Sequence, residues 1–326
     1  MTSQSATIKR QDPIDGEERK GTVSLWAVAG ALWIVFIVQA WGRWIGSDTQ
    51  FGAAPIYGPD TFGGGPLLVL RFIEVGSLFI AAGTIWVFLL SPLVKTRRLT
   101  LDGMIVVGSL LAAGIDPLIN YFHYTFAWNA HAWNFGSWLA FFPLAQGPTR
   151  YAEGLAWYVP QYLYLGIGLA ALECRIILAL RRRYPSINNV RAFSVAFVSM
   201  FLVDIVIEQL FIRTHVYAFP RTWRALTLFP GTEFQFPVYE SLFVAVYAAG
   251  FTALRMSATD DPRGRSFLER GIERWSPTRR VPVTLLAVVG FCAVWAAVSY
   301  FVPWSWMSVN PDSFANIPSY MHPGSR

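Results

Sequence analysis

Apolar residues in this chain gather into seven long blocks, approximately Ser24–Trp44, Pro66–Leu90, Leu101–Phe122, Leu155–Leu180, Phe193–Ile212, Val238–Leu254 and Val283–Val302. Each approaches the ~20 residues an α-helix needs to cross the hydrocarbon core of a bilayer. Turn-rich stretches such as Tyr57-Gly58-Pro59-Asp60 and Gly63-Gly64-Gly65-Pro66 separate them. The pattern predicts an all-α integral membrane protein, a seven-transmembrane-helix bundle over 23–303. Residues 1–22 read as a disordered cytoplasmic tail and 304–326 as a short outer C-terminal tail.

Composition supports this. The 326 residues are 54% hydrophobic and only 14% charged, against about 25% charged in soluble domains. A soluble enzyme, a disordered chain and a secreted disulfide scaffold are excluded. Cys174 and Cys292 both lie in apolar stretches and form no redox or zinc motif. The net charge of +6 could suit nucleic acid, but its distribution follows membrane topology. With the N-terminus inside, only Arg43, Arg150, Arg213, Arg221, Arg224 and Arg326 fall outside, and Arg71 lies within a span. The other 19 of the 26 Lys and Arg are inside, the asymmetry expected of cytoplasmic loops. The N-terminus is therefore expected inside and the C-terminus outside, with no nucleic-acid partner.

Ionisable residues within spans are costly and draw attention first. Arg71 and Glu74 are spaced i, i+3. Asp116 and Asn120 are spaced i, i+4, with His123 beyond them and Pro117 between, where a kink would free a backbone carbonyl. Asp204 and Glu208 share a face of the fifth span, and Glu240 opens the sixth. All map to the outer half or the middle of the bundle. Each also has a plain structural reading: Arg71–Glu74 as a packing ion pair, His123 as an interfacial hydrogen-bonding residue, and Glu240 as a solvated acid. Asp204 and Glu208 would repel if both were ionised, so one is expected to be protonated or paired with Arg71. The outer loops are rich in aromatics, including Tyr124, Trp128 and Trp138. They form either an interfacial belt or a cap over a pocket.

The lysines, Lys9, Lys20 and Lys95, place none on a late helix for a retinal Schiff base. There is no phosphate-binding glycine loop and no clustered histidine set. The inventory suits cofactor-free and metal-free acid–base chemistry on a lipophilic substrate amid membrane lipid. Asp116, Asp204, Glu208 and Glu74 are the expected acid–base set. Arg71, Asn120, His123, Tyr124, Trp128, Asn134, Trp138 and Glu240 are the expected binding residues. A proton-coupled small transporter or a lipid-binding membrane protein would use the same carboxylates.

The string Asp116-Pro117-Leu118-Ile119-Asn120-Tyr121, with Trp128-Asn129 and Asn134-Phe135-Gly136-Ser137-Trp138, resembles the AveC-like spirocyclase family. The polar face Asp204–Glu208 leading to Arg213 adds to the resemblance. It implies a cyclase or dehydratase of secondary metabolism, acting on a lipophilic polyketide, terpenoid or lipid in an actinobacterial cytoplasmic membrane. It supplies no catalytic residues, and family alone does not fix the substrate.

Overall fold

The computed structural model describes residues 21–323. Of the expected N-terminal tail only Gly21 and Thr22 fall within that range, and 324–326 lie outside it. The chain is mostly helical, 66%. Among the described residues seven helices are long and apolar enough to cross a membrane: α1 (Val23–Ile45), α2 (Gly64–Thr96), α3 (Leu101–Asn120), α4 (Leu155–Arg183), α5 (Asn189–Arg213), α6 (Val238–Asp260) and α7 (Pro277–Met307). Several outrun their apolar blocks, because helical hydrogen bonding continues into polar residues where a cap is supplied. α5 starts ahead of Phe193 because the Asn188 side chain accepts the Arg191 amide at 2.8 Å. α7 begins at Pro277, whose missing N–H costs nothing in a first turn, and it continues past the expected 303.

Two glycines bring α1 and α7 into backbone contact. A Cβ on Gly30 would lie 2.0 Å from the Leu286 carbonyl oxygen, and one on Gly290 would lie 2.1 Å from that of Trp26. Elsewhere the outer helix faces are bare and apolar, with Leu32 and Val35 on α1, Phe72 and Phe79 on α2, and Val206 and Leu210 on α5 all exposed.

Pro117 acts on α3 as its chemistry requires. The helix tightens to 3₁₀ geometry over Ala113–Asn120, where Gly114 would need the N–H of residue 117 as its i+3 donor. Proline has none. The Trp138 indole donates to the Gly114 oxygen at 2.8 Å instead.

One end of the bundle carries a cap built from the segments between α1 and α2, α3 and α4, and α5 and α6, together with the residues after α7. Three short antiparallel ribbons knit it: β1 (Ala127–Trp128) with β2 (Tyr217–Ala218), β3 (Arg221–Thr222) with β6 (Ser313–Phe314), and β4 (Thr227–Leu228) with β5 (Phe236–Pro237). The C-terminal segment is thus woven into the cap. Tyr320 and Met321 are buried, and the Tyr124 hydroxyl donates to the Met321 carbonyl at 2.9 Å. Trp128, Trp138, Trp304, Tyr217 and Phe219 fill the space beneath, so the aromatic loops form a packed cap.

Candidate active site

Beneath this cap lie two groups of buried carboxyls. The first joins Asp116, on the 3₁₀ turn of α3, to Glu153, which immediately precedes α4. Tyr162 donates its hydroxyl to Asp116 Oδ1 at 3.0 Å. The Trp128 indole is directed toward the same carboxyl, although its N–H meets no acceptor in normal hydrogen-bonding geometry. Glu153 is 1% exposed and accepts the Ser137 hydroxyl on Oε1 at 3.0 Å. Its carboxyl lies against that of Asp116. Burial, and then the Asp116 charge, push the Glu153 carboxyl well above its usual range. None of these partners is a cation. Two carboxyls in contact in such surroundings hold one proton between them.

The second group is Asp204 and Glu208 on α5 with Glu240 on α6. One oxygen from each lies within 4.8 Å of the others. Each carboxyl is oriented by a hydroxyl: Ser241 donates to Asp204 at 2.7 Å, Tyr217 to Glu208 at 2.8 Å, and Tyr300 to Glu240 at 2.9 Å. The second oxygens of Glu208 and Glu240 are buried without hydrogen-bond partners. Such a cluster can share protons. Its all-oxygen donor set is also of the kind that holds a hard divalent cation.

Beside Asp116 lies a small, partly open cavity, lined also by Gln161, Tyr162, Leu165, Tyr247, Tyr300 and Phe301. The Tyr300 hydroxyl is close enough to both Glu240 and Asp116 to interact electrostatically with each. The cavity is lined from α3, α4, α6 and α7, and Tyr300 at its wall hydrogen-bonds Glu240 of the second group.

The other expected site residues serve the cap. Arg71 pairs with Glu74, donates to the His131 carbonyl at 2.6 Å and lies over the Trp133 ring. Glu74 also accepts the Trp133 amide at 2.7 Å. An i, i+3 pair satisfies itself, so Arg71 anchors a cap loop and does not neutralise the α5 acids, and Glu74 is likewise spent on that loop. Asn120 accepts the amides of Thr125 and Phe126 and donates to the Phe126 carbonyl. Asn134 accepts the amides of Ala54 and Gly136. Tyr124 and Trp138 are engaged as described above. His123 is half-buried in the bend after α3 and is no partner of either carboxyl group among the described contacts. Of the expected set, Asp116, Asp204, Glu208, Glu240 and Trp128 are brought to the site.

Five participants lay outside the sequence reading: Glu153, Tyr162, Tyr217, Tyr247 and Tyr300. A signal existed for two of them. An acid directly before an apolar helix sits where the helix dipole favours negative charge, and Tyr158 with Tyr162 places two aromatic hydroxyls on one face of α4.

Seven long apolar helices under a packed cap, with buried carboxyls and tyrosines beside a cavity, define a helical-bundle protein. The family model described as "Spirocyclase AveC-like" matches residues 96–320, and the chain belongs to that family. The matched region contains both carboxyl groups and excludes Arg71 and Glu74. No curated protein and no solved structure matches the chain.

Proposed function

We propose that this is a membrane-embedded spirocyclase-like enzyme that closes an oxygenated lipophilic substrate, a polyketide, terpenoid or lipid, by acid–base cyclisation and dehydration. The observation that carries the reading is a tyrosine-lined cavity with Asp116 in its wall and Tyr300 joining it to the buried Glu240 group, in a chain of this family. The bare apolar faces of α1, α2 and α5 suit lipid contact. The bias of Lys and Arg supports an N-inside, C-outside arrangement with the cap on the outer face of a bacterial cytoplasmic membrane.

The chemistry follows from the residues. One hydroxyl of a dihydroxy-ketone adds to the carbonyl to form a hemiketal. The proton shared by Asp116 and Glu153 passes to the hemiketal hydroxyl, which departs as water and leaves an oxocarbenium ion. The faces of Tyr162 and Tyr247 favour that cation. The second hydroxyl attacks it, closing the spiroketal, and its proton passes to the Asp204–Glu208–Glu240 group. Proton return through Tyr300 and the released water resets both groups, so the net change is loss of one water. General acid–base steps of this kind typically contribute about 10²- to 10⁴-fold each.

Proton-coupled transport would need a polar route through the bundle. The match to the spirocyclase family favours the enzyme reading. The test is incubation of purified protein at neutral pH with a symmetric ketone bearing a terminal hydroxyl four carbons away on each side. Spontaneous closure yields both hands of the spiroketal equally. Formation above background with one hand in excess supports the reading, and a racemic product at the background rate contradicts it.

A further inference from the structure

Three tyrosines line the cavity, and two of their hydroxyls are committed. Tyr162 donates to Asp116 at 3.0 Å and Tyr300 to Glu240 at 2.9 Å. The third, Tyr247 on α6, is 3% exposed, and its buried hydroxyl meets no hydrogen-bond partner. Its position is fixed from behind. The Tyr247 carbonyl accepts the Trp295 indole N–H at 2.9 Å. The ring packs edge-on against Phe251, centroids 4.9 Å apart. The hydroxyls of Tyr247 and Tyr300 are both close enough to that of Tyr162 to interact electrostatically.

A buried hydroxyl without a partner carries a desolvation penalty that native interiors nearly always avoid. When it borders a cavity whose other hydroxyls already serve carboxyls, the missing acceptor is supplied by whatever enters. We propose that Tyr247 is a substrate-binding residue, donating its hydroxyl to an ether, hydroxyl or carbonyl oxygen held between Asp116 and Glu240. The assignment rests on the functional reading above and adds to it the group that fixes the substrate oxygen.

The test compares two probes on detergent-purified wild type and Tyr247→Phe. One probe is the parent spiroketal of two six-membered rings, and the other is the all-carbon spirocycle of the same shape. Binding is measured by titration, with thermal stability alongside. The wild type is expected to bind the spiroketal saturably and Tyr247→Phe about 5- to 10-fold more weakly, the size of one neutral hydrogen bond. The midpoint of unfolding should hold or rise, since no protein hydrogen bond is lost. The carbon probe should bind both proteins equally. Equal spiroketal binding by both proteins overturns the proposal. So does a parallel loss of both probes with a lowered unfolding midpoint, which would mark Tyr247 as a packing residue. A wild type that does not bind the spiroketal overturns it as well, and the functional reading is then judged by its own turnover assay.

Discussion

Tyr300, near the end of the last helix, donates its hydroxyl to Glu240 at the start of the sixth, 2.9 Å away, and lies within electrostatic reach of Asp116 on the third. One side chain therefore hydrogen-bonds the second carboxyl group and lines the cavity that Asp116 also lines, though the two acids come from helices far apart in sequence.

Glu153 gives the fold a pH dependence. Burial and the Asp116 charge raise its folded value well above the ordinary 4.5. Between those two values the folded state holds a proton that the unfolded chain has lost, so stability falls as pH rises through the window. Glu153→Gln should lessen the slope and be more stable than wild type at the upper end of the window. Thermal unfolding of both proteins across a pH series checks this, and parallel curves would contradict it.

The Arg71–Glu74 pair should matter for stability and not for chemistry. Arg71→Ala strands the buried Glu74 carboxylate. Breaking a fully buried pair costs about 3–5 kcal/mol, but Arg71 is 31% exposed, so roughly 2 kcal/mol is expected after solvent screening. Denaturant unfolding measures the loss. Turnover per folded molecule should stay within a few-fold of wild type.

Trp138→Phe keeps the ring but removes the donor to the Gly114 carbonyl, which Pro117 leaves without a helical partner. A buried acceptor without a donor costs about 1–3 kcal/mol. Because Gly114 is two residues from Asp116, activity should fall as well, and unfolding and turnover should be measured together.

How far this site could be read from the sequence depends on which contacts are local. The seven helices were legible because unbroken apolar runs of that length have few other uses. Asp204, Glu208 and Asp116 stood out because an acid inside such a run needs a reason. Glu153 did not, since an acid in a loop reads as solvated. Its burial is made by distant pairing: β1 joins β2, and Trp128 is pressed onto Gly154, where even a Cβ would come within 2.9 Å of the ring. The i, i+3 spacing of Arg71 and Glu74 was legible, but not that the cap loop would claim both. The tyrosines were missed because aromatic residues at helical spacing usually mean core, and only the fold shows which hydroxyls meet acids.

A topology test bears on the membrane arrangement. A reporter fused after Arg280 should lie in the cytoplasm and one fused after Pro323 outside, since α7 separates them. Both on one side would contradict the proposed orientation of the cap.

The central claim is that Asp116 and the α5–α6 carboxyls perform acid–base chemistry across the cavity. The most direct measurement is the rate and handedness of spiroketal formation by Asp116→Asn, Asp204→Asn and Glu208→Gln, beside the thermal stability of each. Amides keep the shape and remove the titratable proton. The account predicts a loss of about 10²-fold or more in rate, a racemic residual product, and stability equal to or above wild type, because an amide carries no charge to desolvate. Full activity with unchanged handedness in all three variants would contradict it.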